Sequence, residues 1–273
     1  ASGYTGLTVL GNANVGSVNG LGVYVGGNLT QGNVNSGAAR VQGNVSNANF
    51  NGSALAAIGG TVSDSNINSG RIGGATETAA LVAAGARANA QDFGALFSQS
   101  SSFIAGLADT GGTVSIAYNR VTFNAVATNG VAVFDLSAID DAVFAAGEFL
   151  FNLNGATTVI FNSDKTNIQT SANFLANSAL AYGKSFLWNF YNATDIALGS
   201  QFGGSILATN ATLTNANNIE GSVVVKSLDQ KGEIHLQPFT GTIPVTPVPE
   251  PETYAMLLAG LALTARVVAK RRK

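Results

Sequence analysis

The side chains best suited to chemistry lie near the end of the chain, in the segment GEIHLQPF. This segment holds the only histidine, His235, two residues from Glu233. Residues two apart on a β-strand point to the same side, so this pair could share a proton or a metal ion. One imidazole and one carboxylate are too few ligands for a catalytic metal site. We therefore favour a structural hydrogen bond over a functional role.

The densest acidic patch before the C-terminal tail is formed by Asp140, Asp141 and Glu148. It lacks the regular Asp/Asn spacing of a calcium-binding loop, so we interpret it as a solvent-exposed turn. Glycan-cleaving β-helices need carboxylates that converge in a groove, whereas the 15 acidic residues here are spread thinly. No nucleophile elbow, Walker loop or dinucleotide fingerprint occurs in a suitable context. The sequence predicts a protein that is not an enzyme and has no cofactor or metal.

The composition excludes several classes of partner. Only 10% of residues are charged, with 13 basic and 15 acidic residues, against roughly 25% charged residues in a typical soluble domain. A body without a basic stripe cannot neutralise many phosphates, so we expect no nucleic-acid partner.

The chain has no cysteine, which is compatible with export when the core is large. Because it begins at Ala1, a residue type common beside cleavage points, we expect that a signal peptide has been removed.

A repeat runs through the first seventy residues. Four pairs share one register with spacings of 16, 16 and 17 residues: Gly11-Asn12, Gly27-Asn28, Gly43-Asn44 and Gly60-Thr61. An apolar residue stands two positions before each glycine (Val9, Val25, Val41, Ile58) and another stands seven positions after it (Val18, Val34, Phe50, Ile67). These apolar columns keep their phase through all four units. A generic Gly/Asn-rich low-complexity segment, the alternative interpretation, would not hold them in phase.

The repeat predicts a β-solenoid. Apolar residues at two-residue steps fit an extended strand, and each unit is too short to bury its own apolar side. Stacking successive coils about 4.8 Å apart would bury Val over Val and place Asn over Asn in ladders. We expect the glycine and asparagine pairs to form the corners of the coils, where positive φ angles allow a sharp turn.

The spacing of apolar residues changes between residues 76 and 109, where it fits a helix. We predict one long helix there, capped by Thr76 or Thr78 and ended by Gly111-Gly112, packed along the solenoid. Five strand-like segments follow: Val114–Tyr118, Val121–Val126, Val131–Leu136, Phe149–Leu153 and Thr157–Phe161. The repeat then returns in Gly204-Ser205-Ile206-Leu207 and Gly221-Ser222-Val223-Val224, 17 residues apart. We therefore predict a mainly β fold with a single domain over residues 1–243.

The C-terminal end has a different organisation. Residues 244–253 form a proline-rich spacer, residues 254–269 are apolar except for Thr264 and Arg266, and Lys270, Arg271, Arg272 and Lys273 close the chain. As a helix the apolar stretch would span about 24 Å, short of a hydrocarbon core of about 30 Å, so it is a marginal permanent anchor. The basic cluster would stay on the cytoplasmic side and leave the body outside. A core helix, the alternative, would need neither the spacer nor the basic cluster.

Two family resemblances agree with these expectations. Val248-Pro249-Glu250-Pro251-Glu252-Thr253, the apolar segment and the basic end resemble the PEP-CTERM sorting signal of Gram-negative bacteria. This resemblance implies recognition and cleavage by an exosortase in the inner membrane, and export linked to exopolysaccharide and biofilm matrix. The body resembles the choice-of-anchor A domain, an adhesive β-helical module. The stretches that carry this second resemblance are YVGGN from Tyr24, GSILATNA from Gly204, and IEGSVVVKSL with GEIHLQPF from Ile219.

We expect a structural or adhesive protein of the cell surface or extracellular matrix. Its uncharged faces, rich in Asn, Ser and Thr, could hydrogen-bond polysaccharide or a neighbouring subunit, and exposed terminal coils could pair edge to edge. Two alternatives remain open. One is a glycan-active β-helix enzyme, and the other is an ice-binding solenoid, although the sequence shows no regular Thr-x-Thr ladder.

Overall fold

The computed structural model describes residues 6–19, 22–35, 37–51, 55–68, 90, 92–235 and 237–244. Within these ranges the chain is mainly β, and its strands form parallel sheets of the kind found in a solenoid. The chain divides into two compact units, Ala1–Thr242 and Ile243–Lys273. Nearly all described residues belong to the first unit, and the predicted hydrophobic helix at 254–273 lies outside them. Among the described residues, no helix is long and apolar enough to cross a membrane.

The four N-terminal units each form one coil with three faces. The first face holds β1 (Gly6–Val9), β4 (Gly22–Val25), β6 (Ala38–Val41) and β9 (Leu55–Ile58). The second holds β2 (Ala13–Asn14), β7 (Val45–Ser46) and β10 (Val62–Ser63), with Leu29 bridging from the second coil to Ala13 and Val45. The third holds β3 (Ser17–Val18), β5 (Gly32–Val34), β8 (Ala48–Phe50) and β11 (Asn66–Ile67). The pairings within each face are parallel.

The predicted apolar columns are confirmed. Val25 pairs with Val9 below it and Val41 above it, and Val41 pairs with Ile58. On the third face, Val18, Val34, Phe50 and Ile67 follow one another in the same way. Each coil thus closes the apolar side of its neighbour, and burying one such side chain contributes about 1.5–3 kcal/mol. The stacking therefore supplies the burial that a single coil cannot.

The predicted helix is present, but its described part is shorter than 76–109. Helix α1 spans Phe93–Ala105, and Asp92 caps it by accepting a hydrogen bond from the backbone N–H of Ala95 at 2.9 Å. It ends at Gly106, whose N–H reaches the carbonyls of the last turn, so the expected end at Gly111-Gly112 is wrong. Asp109 lies beyond the helix, and its carboxylate accepts from the N–H groups of Gly111 and Asp135. Thr76 and Thr78 lie outside the described residues.

The C-terminal part builds larger coils. Its elements are β12 (Thr113–Ala117), β13 (Arg120–Asn124), β14 (Val131–Asp135), α2 (Asp140–Ala145), β15 (Glu148–Asn152), β16 (Thr158–Ser163), β17 (Asn167–Thr170), β18 (Asn173–Phe174), a 3-10 turn (Ala179–Tyr182), β19 (Phe186–Phe190), β20 (Asp195–Leu198), β21 (Phe202–Gly203), β22 (Ser205–Asn215), β23 (Ile219–Glu220), β24 (Val223–Gln230) and β25 (Ile234–His235). The five predicted strands are present, with ends shifted by at most two residues. The short helix α2 was not predicted.

The two solenoid stretches form one body, as the recurring repeat predicted. Along the first face the strand order is β14-β16-β19-β22-β24-β1-β4-β6-β9. The last coil of the chain therefore lies against the first, with Leu7 paired to Val223 and Val9 to Val225. Within the C-terminal part, Ile206 pairs with Val223 and Leu207 with Val224, in the register that the 17-residue spacing gives. Helix α1 lies along this face and contacts β16, β19 and β22.

The core changes character along the stack. The N-terminal coils are filled mainly by Val, Leu and Ala, whereas the C-terminal coils hold a cluster of aromatic rings. At its centre Phe161 and Trp188 stack with ring centroids 3.9 Å apart, and Trp188 donates from its indole N–H to the carbonyl of Gly203 at 2.9 Å. Large rings fill the wider coils without leaving an unsatisfied indole donor.

The chain leaves the last coil as an extended segment along the stack. The N–H of Thr240 donates to the carbonyl of Lys184 at 2.9 Å, and the N–H of Thr242 donates to the hydroxyl of Thr158 at 2.9 Å. The segment thus bonds to successive coils up to Thr242, where the first compact unit ends.

Candidate functional site

The Gly-Asn pairs lie at bends between the first and second faces, but not for the expected reason. None of Gly11, Gly27, Gly43 and Gly60 has a positive φ. Instead, neighbouring coils approach closely there: a Cβ on Gly43 would lie 2.4 Å from Oδ1 of Asn28 and 2.6 Å from the carbonyl oxygen of Gly27. The expectation of positive φ angles is therefore wrong, and close contact between coils explains the glycines.

The asparagines of this corner column bond to the backbone. Oδ1 of Asn12 accepts from the N–H of Asn28, Oδ1 of Asn28 from the N–H of Asn44, and Oδ1 of Asn44 from the N–H of Thr61, each at 2.9 Å. Each side chain thus satisfies a corner donor of the next coil. Asn28 and Asn44 therefore have structural bonds along the stack.

The third face carries two further columns of polar side chains, which we name the amide face. Its members alternate along the strands with the inward-facing column of Val18, Val34, Phe50 and the partly buried Ile67, and so point outward. They are Ser17, Asn33, Asn49 and Asn66 in one column and Asn19, Asn35, Asn51 and Asn68 in the other. These eight side chains include no charged group.

Side-chain amides link the amide face into two ladders. In one, Asn49 donates to Asn33 at 3.0 Å and Asn66 donates to Asn49 at 2.8 Å. In the other, the donations run from Asn35 to Asn19 at 2.7 Å, from Asn51 to Asn35 at 3.0 Å and from Asn68 to Asn51 at 2.8 Å. Every bond joins Nδ2 of one coil to Oδ1 of the coil before it. The predicted Asn-over-Asn ladders thus form here, in columns that the sequence analysis did not single out.

The ladder geometry leaves binding capacity on the surface. A primary amide has two N–H donors and two acceptor lone pairs, and the ladder uses at most one donor and one lone pair of each. The remaining donor and lone pair recur at every coil, about 4.8 Å apart. Because each amide is held by its neighbours, little side-chain freedom remains to be lost on binding. The face is therefore a rigid, neutral array of hydrogen-bonding groups.

A charged cluster borders this array. His235 lies in β25, which pairs with β3 through Ile234 and Val18, so the cluster sits beside the start of the amide columns. Nδ1 of His235 lies 2.7 Å from Oε1 of Glu220, and Nε2 lies 3.0 Å from Oε2 of Glu233. Gln201 donates from Nε2 to the same Glu220 oxygen at 2.7 Å. The predicted His235–Glu233 bond is present, and Glu220 and Gln201 were missed because they lie on earlier coils.

The environment of His235 favours its charged form. Burial lowers the pKa of His235, but the hydrogen bonds and charges of Glu233 and Glu220 outweigh it, so the net pKa is raised above 6.5. Glu220 is only 1% exposed, and its Oε2 has no hydrogen-bond partner. When His235 is protonated, its imidazolium and the buried Glu220 carboxylate form an ion pair between neighbouring coils. We assign it a structural role.

The acidic patch does not converge. Asp140 and Asp141 begin α2 instead of forming a turn, because carboxylates stabilise the first turn of a helix. Asp140 accepts from Ser163 at 3.0 Å, Asp141 pairs with Lys165, and Glu148 pairs with Arg120 at 2.8 Å. In the described part of the chain, no group of three or more His, Asp or Glu side chains is arranged to hold a metal ion.

The comparisons with known proteins assign the body and the tail separately. Residues 3–236 match the family described as "Putative Ice-binding-like adhesive domain". The chain belongs to this family. Residues 247–273 of this ice-binding-like adhesive protein match the PEP-CTERM protein-sorting motif. Neither the curated proteins nor the solved structures contain a match.

The two matches together define where the adhesive protein acts. A PEP-CTERM motif implies processing by an exosortase, and an adhesive domain with such a motif is an exported surface protein. The match to the sorting motif includes Val248 to Thr253 and the basic end, Lys270 to Lys273. These residues lie outside the described part of the structure.

Proposed function

We propose that this exported protein is a non-catalytic adhesin of the cell surface or extracellular matrix, and that it binds neutral polysaccharide through the amide face. The observation that carries this proposal is the pair of asparagine ladders on the third face. The choice-of-anchor A resemblance supports an adhesive role, and the PEP-CTERM resemblance supports a place in the biofilm matrix of a Gram-negative bacterium.

The chemistry of the amide face suits a hydroxyl-rich chain. Sugar hydroxyls both donate and accept, as the free donor and lone pair of each amide require. The face offers no charged side chain to attract an anionic polymer or to anchor a charged ligand. Single amide-to-hydroxyl bonds contribute only about 0.5–1.5 kcal/mol each, so useful affinity needs many of them in register. A polymer lying across several coils meets that condition.

Cosedimentation of the full chain with neutral matrix polysaccharide tests the proposal. The double variant Asn49→Ala, Asn51→Ala removes one amide from each ladder, and we expect about tenfold weaker binding from two lost hydrogen bonds. The matched control is Asn14→Ala, Thr30→Ala, which removes two polar groups from the second face. We expect this control to bind like the wild type. Equal loss in both variants, or no binding by the wild type, would contradict the proposal.

We also propose that the C-terminal segments serve only delivery. Residues 244–253 act as the spacer that presents Pro249-Glu250-Pro251 to the exosortase, and residues 254–273 hold the chain transiently in the inner membrane. The mass of the protein isolated from its host should correspond to a chain that ends near Pro251. Replacement of Glu250 by Ala should leave the full tail attached. An uncleaved wild-type chain would contradict this part of the proposal.

Ice binding is a second candidate, favoured by the family description. The second face presents Thr212 and Thr214 outward, two residues apart on β22. The corresponding positions on other coils, such as Asn12 and Asn14 or Asp195 and Ala197, do not repeat threonine. A thermal hysteresis measurement distinguishes the candidates, since an adhesin without ice affinity produces none.

A further inference from the structure

The strand β12 forms the free edge of a four-stranded sheet, in the order β12-β13-β15-β18. It pairs antiparallel with β13 through a two-residue turn, Tyr118-Asn119, with φ angles of 51° and 63°. In such a hairpin Ala117 and Arg120 exchange hydrogen bonds, and the bonded pairs then alternate. The backbone groups of Val114 and Ile116 therefore point away from β13, towards solvent.

This edge lacks the protection seen on the neighbouring strand. At the same end of the stack, the outer edge of β14 is blocked: Thr110 exchanges hydrogen bonds with Val133, and Asp109 accepts from the N–H of Asp135. β12 has the sequence TVSIA, with no charge and no proline. Charges, prolines and covering loops are the usual means by which proteins prevent strand pairing at an edge. Within the described residues β12 has none of these protections, so its edge is open to pairing.

The apolar side of β12 is also incompletely covered. Val114 and Ile116 stand opposite Phe123 and Val121 and share their side of the sheet. Phe123 and Val121 are buried, whereas Ile116 is 40% exposed. The apolar column thus continues to β12, and no further described strand extends it. One additional strand carrying apolar residues at alternate positions would close it.

We propose that the partner at this edge is β12 of a second copy, paired antiparallel about Ser115. In this register Val114 stands opposite Ile116 of the second copy, and Ile116 stands opposite its Val114. Both residues have their backbone groups at the free edge, so each pair exchanges two hydrogen bonds and the interface has four. A shift by two residues would leave only one such pair. Hydrogen bonding and side-chain packing therefore select the same register.

A second copy suits this edge better than an unrelated strand. An antiparallel pair is two-fold symmetric, and TVSIA places an apolar residue on each side of its central serine, so it complements itself. The charged residues Arg120 and Glu148 of the neighbouring strands already pair with each other within one chain. The amide face lies on β3, β5, β8 and β11, and the dimer leaves it free. The inference does not depend on the proposed function, although two amide faces in one dimer would strengthen binding by avidity.

A charge exchange at the symmetry axis tests the dimer. Ser115 is exposed on the outer side of β12 and would face Ser115 of the second copy across the pair. Ser115→Lys or Ser115→Glu would place like charges opposite each other and should raise the dissociation constant of the dimer about tenfold. A mixture of the two variants should restore association. Thr122→Lys, on the same side of β13 but one strand inward, is the matched control and should dimerise normally.

Sedimentation velocity of the full chain gives the oligomeric state of each variant under identical conditions. Amide exchange supplies a second measurement: the N–H groups of Val114 and Ile116 should exchange more slowly as protein concentration rises. A monomeric wild type would overturn the proposal. So would a dimer that both Ser115 variants leave intact, because association would then use another surface.

Discussion

Nδ1 of His235 lies 2.7 Å from Oε1 of Glu220, a carboxylate that is 1% exposed. The two residues belong to successive coils, since β25 pairs with β23. Their contact joins the last coil of the chain to the coil before it. The last coil also lies against the first coil of the chain, so this contact lies where the two parts of the stack meet.

This contact makes stability depend on pH. Because the folded pKa of His235 is raised above its unfolded value of about 6.5, its contribution is fully present below that value. It is lost as the pH rises through the raised folded pKa. Melting temperatures between about pH 6 and about pH 9 should therefore fall more for the wild type than for His235→Gln. Parallel curves for the two proteins would show that the imidazole contributes nothing.

The close approach of coils at Gly43 predicts a steric effect on stability. In Gly43→Ala the new methyl group would meet Asn28 and the backbone of Gly27, which must shift, at a cost of about 1–3 kcal/mol. Gly16→Ala is the control, because its Cβ would have no atom closer than 3.7 Å. We expect this control to be neutral or up to about 1 kcal/mol more stable. Chemical denaturation measures both, and equal stabilities would contradict the steric explanation.

The ladder on the amide face predicts that an asparagine inside the ladder contributes more to stability than the one at its end. Asn35→Ala breaks two ladder bonds, whereas Asn68→Ala breaks one at an exposed position. With about 1 kcal/mol for each bond, we expect the first variant to lose about twice as much unfolding free energy as the second. The emission of Trp188, the only tryptophan and fully buried, reports unfolding in both. A larger loss for Asn68→Ala would argue against the ladder.

Two buried asparagines attach helix α1 to the first face. Asn189 donates to the carbonyl of Ser101 at 3.0 Å and accepts from its hydroxyl at 2.6 Å, and Asn162 donates to the carbonyl of Ile104 at 2.8 Å. Asn189→Ala would remove the acceptor of the Ser101 hydroxyl and the donor to Oδ1 of Asn162 in a buried site, so we expect a loss of about 3 kcal/mol.

Ser98→Ala is the matched control for this attachment. Its hydroxyl donates to Thr209 at 3.4 Å near the surface of the same helix, and its loss should cost less than about 1 kcal/mol. Denaturant midpoints of the two variants distinguish the buried attachment from the peripheral one. Similar midpoints would show that the amide does not hold the helix.

The sequence alone determined the coils, because a period of 16 or 17 residues leaves no other way to bury its apolar columns. It also held the signal for the amide face: Asn19, Asn35, Asn51 and Asn68 share the spacing of the glycine column. The Gly-Asn corners have the same period, so the period by itself does not show which asparagine column forms side-chain ladders. The sorting motif was also predictable from the sequence, because it is a local feature of composition.

Only the tertiary structure decided which coils touch. That β24 lies against β1 follows from how the chain returns along the stack, and a local period carries no information about this return. The partners of His235 on earlier coils and the close approach that selects glycine at Gly27 depend on the same order. Local pattern fixes what one coil buries, whereas contacts between residues distant in the chain depend on the packing of the whole stack.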